Sequence, residues 1–223
     1  MLTNAQEKLI RSLHTKKGRS KSGQCLVEGP RAVEAAGDAI EWTFTREDIG
    51  SFSDLVTTET PQEIAAVARI PQWTRDDVAT RPTIVVLDGV QDPGNVGAIL
   101  RLCQGFNASA LLVESADVTS PKVVRSSAGA LFSVPWIDVA RGDASAVIKT
   151  FDRGVYRLER KDDAKAITTI SIEDPIVLIV GSEGQGIHLD VDGTSVMIAH
   201  DPALESLNVG HALAIALFLR SRF

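Results

Sequence analysis

Apolar positions follow two patterns along this chain. In TIVVLD (83–88), ALLVE (110–114) and PIVLIVG (175–181) they run almost without a break, as in strands buried on both faces of a parallel sheet. Between these runs the spacing predicts helices from about Asn95 to Phe106 and from Ala144 to Phe151, and another capped by Ser120 with Pro121 in its first turn. Strands VPWIDVA (134–140), VYRLER (155–160) and SVMIAH (195–200) complete the alternation. Strands alternating with helices imply an α/β fold, a mainly parallel sheet with helices on both faces. A strongly apolar helix closes the chain from Ser206, read as its N-cap, to Arg222.

The first 70 residues read as a smaller α/β unit: helix Ala5 to Leu13, a basic loop, strand Gln24 to Glu28, helix Gly29 to Ala36, then strands 42–45 and 64–70. QWTRDDVATRP (72–82) is polar and ends in proline, as a linker does. The expected division is 1–73, a linker at 74–82, and 83–223.

Composition narrows the class. Apolar residues make up 44% and charged residues 23%, as in ordinary globular proteins. No apolar run reaches the roughly 18 residues of a bilayer span, and the first residues lack a secretory core. The expectation is a cytoplasmic protein without membrane contact. Two cysteines and four scattered histidines form no metal-site spacing. Cys103, among Leu100, Leu102 and Phe106, reads as a buried thiol. A net charge of −6 argues against holding nucleic acid by bulk charge, yet residues 1–35 carry a net +4. KKGRSK (16–21) is a candidate phosphate contact, with a solvated loop as the alternative. Trp42, Phe44 and Phe52 are expected in the small unit's core rather than as stacking surfaces.

Three loops, each after a hydrophobic strand, could carry chemistry at the carboxyl ends of parallel strands. In DPGNVGAILRL (92–102), Asp92 and Pro93 make a turn, and Gly94 and Gly97 allow close backbone approach. Asn95 and Arg101 reach one region only if Asn95 lies in the loop and Arg101 leans back toward the helix N-terminus. In IVGSEGQGI (179–187), Gly181, Gly184 and Gly186 leave backbone groups open to a ligand, and Glu183 could hold a cation such as an arginine. Neither loop has the dinucleotide or Walker pattern. In SLNV (206–209), Asn208 stands in the first turn of an apolar helix, where propensity does not explain it.

The order N-x-G-x-x-x-R (Asn95 to Arg101), G-S-E-G-x-G (Gly181 to Gly186) and S-L-N-V (Ser206 to Val209) resembles the three motifs of the SpoU (TrmH-like) branch of the SPOUT RNA methyltransferases, over about residues 82–222. RSLHTKKGRSKSGQCLVEGPRAVEAA and TTETPQEIAAVARI resemble that family's substrate-binding domain, which is similar to ribosomal protein L30e. The resemblance implies a C-terminal SPOUT domain with a deep trefoil knot, S-adenosylmethionine bound within it, and a homodimer. It implies 2′-O-methylation of a ribose in ribosomal or transfer RNA. Asn95, Arg101, Glu183, Ser206 and Asn208 would form the catalytic group. Gly181, Ile198 and Leu207 would line the cofactor. Arg101 would meet the target's phosphate and hydroxyl, and Glu183 an arginine or a backbone group of the second subunit. The chain departs from the family at Ile198-Ala199-His200, where isoleucine-proline-methionine is usual, in the loop DPALE, and at Gly210 and His211. These changes surround the cofactor loop. They motivate the alternative of an RNA-binding, ribosome-assembly protein of the same fold that no longer methylates.

Overall fold

The computed structural model describes residues 2–50, 52–58, 60–171, 173–201 and 203–221. Its contacts define two units: Met1–Gln72 with Asp117–Ser133, and Trp73–Ala116 with Val134–Phe223.

In the first unit, β1 (Gln24–Glu28), β2 (Ile40–Thr45) and β3 (Ile64–Arg69) form an antiparallel sheet in the order β1-β3-β2. Helices α1 (Asn4–Leu13), α2 (Lys16–Ser22), α3 (Pro30–Ala36) and α4 (Phe52–Leu55) accompany it. A capping box of Thr3 and Gln6 starts α1. Ile10, Leu13, Leu26, Phe44, Phe52 and Val67 fill the core. Phe44 stacks between Trp42 and Phe52 with ring centroids 5.8 and 5.5 Å away, so these aromatics are packing residues.

KKGRSK is not a loop. It forms most of α2, with Thr15 as N-cap. Arg19 turns inward, donates to the Leu13 carbonyl at 2.7 Å and to Thr119 Oγ1 at 3.1 Å, and pairs with Asp117. Lys16, Lys17 and Lys21 stay exposed.

The second unit starts with α5 (Arg75–Ala79), capped by Thr74 and Asp77, where the sequence suggested a linker. Its Val78 packs into the unit's core, and that burial fixes the segment. Then come β4 (Thr83–Asp88), α6 (Pro93–Gly105) and β5 (Ala108–Val113). The next helix along the chain, α7 (Pro121–Ser126), belongs to the first unit and is capped by Ser120 as expected. There follow β6 (Trp136–Val139), α8 (Arg141–Thr150), β7 (Gly154–Leu158), β8 (Lys165–Ala166), β9 (Ile176–Gly181), β10 (Thr194–Met197) and α9 (Val209–Arg220). The sheet runs β6-β5-β4-β9-β7-β10-β8 with every pairing parallel. Ile84, Val86, Leu111, Val113, Val177 and Ile179 cluster with α5 and α8 on one face. The alternating residues Val85, Leu87, Leu112, Leu178 and Val180, also buried, point to the other face, where α6 packs on β5 and α9 on β9. Cys25 and Cys103 are buried, which pushes both thiols up to about 12, so neither serves as a nucleophile at neutral pH.

Residues 117–133, expected in the second domain, pack with the first unit instead. The reason is electrostatic. Two buried charges there, Arg19 and Glu28, need counter-charges, and this segment supplies Asp117 and Arg125. Arg125 Nη1 lies 2.8 Å from Glu28 Oε2, while Thr57 donates to Oε1 through its backbone N–H and its hydroxyl.

Candidate active site

β4 pairs with β9 so that Asp88 lies beside Gly181. The loops leaving these two strands are therefore neighbours at the carboxyl edge of the sheet. Asp88, almost fully buried, joins them. Its Oδ2 accepts from the backbone N–H groups of His188 (2.5 Å) and Leu189 (2.8 Å), and its Oδ1 pairs with Arg141 at 2.9 Å. The sequence reading passed over Asp88, although an acid closing an otherwise apolar strand was the available signal.

Helix α6 begins two residues earlier than the expected start at Asn95. Asp92 is its N-cap, accepting from the Asn95 N–H at 2.9 Å, and Pro93 opens the helix. The Asn95 side chain is thereby free to leave the helix. On α9, the N-cap is Asn208 rather than Ser206, and the helix starts at Val209. Asn208 Oδ1 accepts from the N–H groups of Gly210 and His211 at 3.0 and 3.3 Å. This is the structural reason for Asn208 that propensity alone did not give. An amide also has a donor to spare, carried on a longer arm than a serine hydroxyl in its place.

That donor closes a network. Asn208 Nδ2 donates to Asn95 Oδ1 (3.1 Å) and to Glu183 Oε1 (2.8 Å), and Asn95 Nδ2 donates to the same Oε1 at 2.5 Å. Three distant segments thus meet on one carboxylate oxygen. Glu183 Oε1 accepts from two amides, and no arginine reaches it among the described residues. Arg101 is not brought to the network. Asn95 lies in the helix, and six residues later the chain has advanced about 9 Å and turned well away from it. Arg101 is exposed and has no hydrogen bond or ion pair among the described residues.

The glycine loop is held as a tight turn, with Ser182 and Gly186 exchanging backbone hydrogen bonds of 3.0 and 3.1 Å. A Cβ on Gly181 would lie 2.2 Å from the Gly186 carbonyl and 2.6 Å from the Ile187 nitrogen. Gly181→Ala is therefore expected to cost about 1–3 kcal/mol through overpacking. Differential scanning calorimetry should read this as a midpoint lower by roughly 2–4 °C for each kcal/mol.

Beside this loop opens a cleft of about 760 Å³. It gathers Gly181, Ile198 and Leu207, the three expected cofactor residues, together with Glu183, Ser206 and His200. Two residues the sequence reading missed shape its wall. Arg160 Nη1 donates to the carbonyls of Leu204 (3.5 Å) and Glu205 (3.2 Å), pinning the loop before α9. Glu159 receives Arg157 Nε at 2.9 Å, Ser195 Oγ at 2.7 Å and Lys161 Nζ at 3.0 Å. Burial pushes the Glu159 carboxyl up, but these three partners outweigh it and hold it below the usual range. A second cleft, about 450 Å³, lies against the same Ser182–Gln185 loop and includes Asn95 and Arg141. Among the described residues no group of three or more His, Cys, Asp or Glu side chains could hold a metal ion.

Comparison with known proteins places this geometry. The SpoU rRNA Methylase family model matches residues 82–218. The chain belongs to the SpoU rRNA methylase family. An MRM3-like substrate binding domain model matches residues 4–45 of this SpoU protein. It is 30% identical, over 96% of the chain and 95% of the relative, to the 23S rRNA (guanosine(2553)-2′-O)-methyltransferase RlmP of Bacillus subtilis. A solved TrmH-family protein from Porphyromonas gingivalis superposes with a TM-score of 0.84 at 31% identity, covering 99% of this chain and 98% of that one. An AdoMet-bound rRNA methyltransferase from Sinorhizobium meliloti gives 0.85 at 25% identity, covering 99% and 95%.

Proposed function

We propose that this SpoU-family protein transfers a methyl group from S-adenosylmethionine to a ribose 2′-hydroxyl of ribosomal RNA. The observation that carries the reading is the junction of all three motif loops at Glu183, on the rim of a cleft that contains Gly181, Ile198 and Leu207. The residues present fit the cofactor. The volume is that of a ligand site, Leu158, Ile187 and Met197 add apolar wall, and the glycine at 181 lets the turn to Gly186 and Ile187 close tightly beside it.

S-adenosylmethionine supplies a methyl already activated on a sulfonium, so the protein's work is to place and polarise the acceptor oxygen. Asn95 and Asn208 fix Glu183 by occupying its Oε1, and Oε2, without a partner among the described residues, remains to accept a hydrogen bond from the acceptor hydroxyl. Ser206 faces the cleft and helps to orient the reacting groups. The Arg101 guanidinium contacts the target's phosphate and stabilises negative charge as it develops on the ribose oxygen. The exposed lysines of α2 are the natural contacts for RNA phosphates. The second cleft, across the glycine loop, offers room for the target nucleotide.

Arg101 points to a second copy of the chain. On α9, Ile215, Phe218 and Leu219 are 39, 60 and 42% exposed and lie on one helix face with His211. An unpartnered apolar helix face of this kind marks an interface. We infer a homodimer that covers it and brings Arg101 from the second copy toward the network. Phe218→Asp is expected to convert a dimer into a monomer in analytical ultracentrifugation. A wild-type monomer would remove the second copy from the mechanism. The trefoil knot and a cytoplasmic location belong to this proposal as well. Among the described residues no helix is long and apolar enough to cross a membrane.

The reaction is tested with methyl-tritiated S-adenosylmethionine and ribosomal RNA that lacks the modification. Label in an alkali-resistant, ribose-methylated dinucleotide is expected. RNA binding without any label would favour the assembly-factor reading.

A further inference from the structure

The cleft contains one residue whose chemistry the reading above does not use. His200 follows β10 at the point where the chain departs from the family's usual isoleucine-proline-methionine. Its Nδ1 lies 2.7 Å from the Ile198 carbonyl. A carbonyl only accepts, so Nδ1 carries the proton, and in the neutral ring Nε2 is left as an acceptor. That Nε2 is buried with no hydrogen-bond partner among the described residues. A buried acceptor cut off from water calls for a donor, because leaving it unpaired is costly. The ring's mate, Ile198, is one of the residues expected to line the cofactor, and both belong to the same cleft.

We propose that His200 is an adenosine-recognition residue, its Nε2 accepting a hydrogen bond from the adenosyl portion of bound S-adenosylmethionine. The inference rests on the cofactor reading. Adenosine has the required donors in its exocyclic amine and its ribose hydroxyls. The apolar part of the cleft that His200 shares, with Leu158, Met197, Ile198 and Leu207, favours that end of the cofactor, since it suits a flat purine better than a charged amino acid. The His200 departure is then a gain: a thioether offers only a weak acceptor, whereas this imidazole is oriented by a backbone carbonyl two residues away.

The test is calorimetric titration of the full chain with S-adenosylmethionine and with 5′-methylthioadenosine, which keeps the adenosine and lacks the amino acid. His200→Met keeps a side chain of similar length and replaces the imidazole acceptor with a weak thioether. It is expected to weaken both ligands by about tenfold, while His200→Gln, with an oxygen near the position of Nε2, recovers most of the loss. In parallel, the 15N resonance of His200 Nε2 in the wild-type protein should move when 5′-methylthioadenosine is added, a readout that needs no variant. Unchanged affinity in His200→Met together with an unmoved resonance would overturn the inference and leave the cofactor reading intact. So would weakening confined to S-adenosylmethionine, which would place the contact at the amino-acid end. Wild-type protein that binds neither ligand would overturn the cofactor reading and this inference with it.

Discussion

Arg101→Ala is expected to fold like the parent protein and to lose methyl transfer by about a hundredfold or more. Arg101 is exposed and makes no hydrogen bond or ion pair among the described residues, so the change in stability should stay within about 0.5 kcal/mol. The loss in turnover follows from its proposed work. A donor aimed at developing oxyanion charge is typically worth about 10²–10³ in rate. Arg101→Lys should recover only part of it, since an ammonium keeps the charge but not the planar fork that can hold phosphate and hydroxyl together. Single-turnover assays at saturating S-adenosylmethionine, beside a thermal melt, read both quantities. Near-normal turnover in the alanine variant would remove Arg101 from the mechanism.

The second large effect is at Asn208, whose side chain has two separable duties. Asn208→Ala removes an N-cap, about 0.5–2 kcal/mol, and leaves Asn95 and Glu183 to themselves. Asn208→Ser keeps a capping oxygen of nearly equal quality but has no amide to reach the carboxylate. The alanine variant should therefore lose both stability and activity. The serine variant should melt within about 2 °C of the parent and still lose activity as far. Full activity in the serine variant would reduce Asn208 to a helix cap.

The contrast at Asn208 shows what could be read before any coordinates. The continuous apolar runs announced the parallel sheet, because a strand buried on both faces has no polar side to display. Ser120 with Pro121 marked α7 correctly, since the cap's chemistry is local. Ser206 carried the same local signal and was not the cap. Its competitor two residues on could cap the helix and hold Glu183 at once, and that second demand comes from segments 113 and 25 positions away. Arg19 was legible as a charge but not as a buried one, for its partners Thr119 and Asp117 are about a hundred residues distant. The same long-range pairing drew residues 117–133 out of the unit that surrounds them in sequence. Gly181, Ile198 and Leu207 could be assigned to one cleft only through the family resemblance. Nothing in their spacing predicts that they meet, and Asp88 and Arg160, which shape their surroundings, belong to none of the motifs quoted.

The most direct measurement uses an RNA in which the mapped target nucleotide alone carries a 2′-deoxyribose. With a 2′-hydroxyl there, the protein should move the methyl of S-adenosylmethionine onto that sugar. With hydrogen in its place, transfer should fall to background while the RNA still binds. Methylation of the deoxy substrate at undiminished rate would mean that another atom receives the methyl, and the account of Glu183 and Arg101 given above would be wrong.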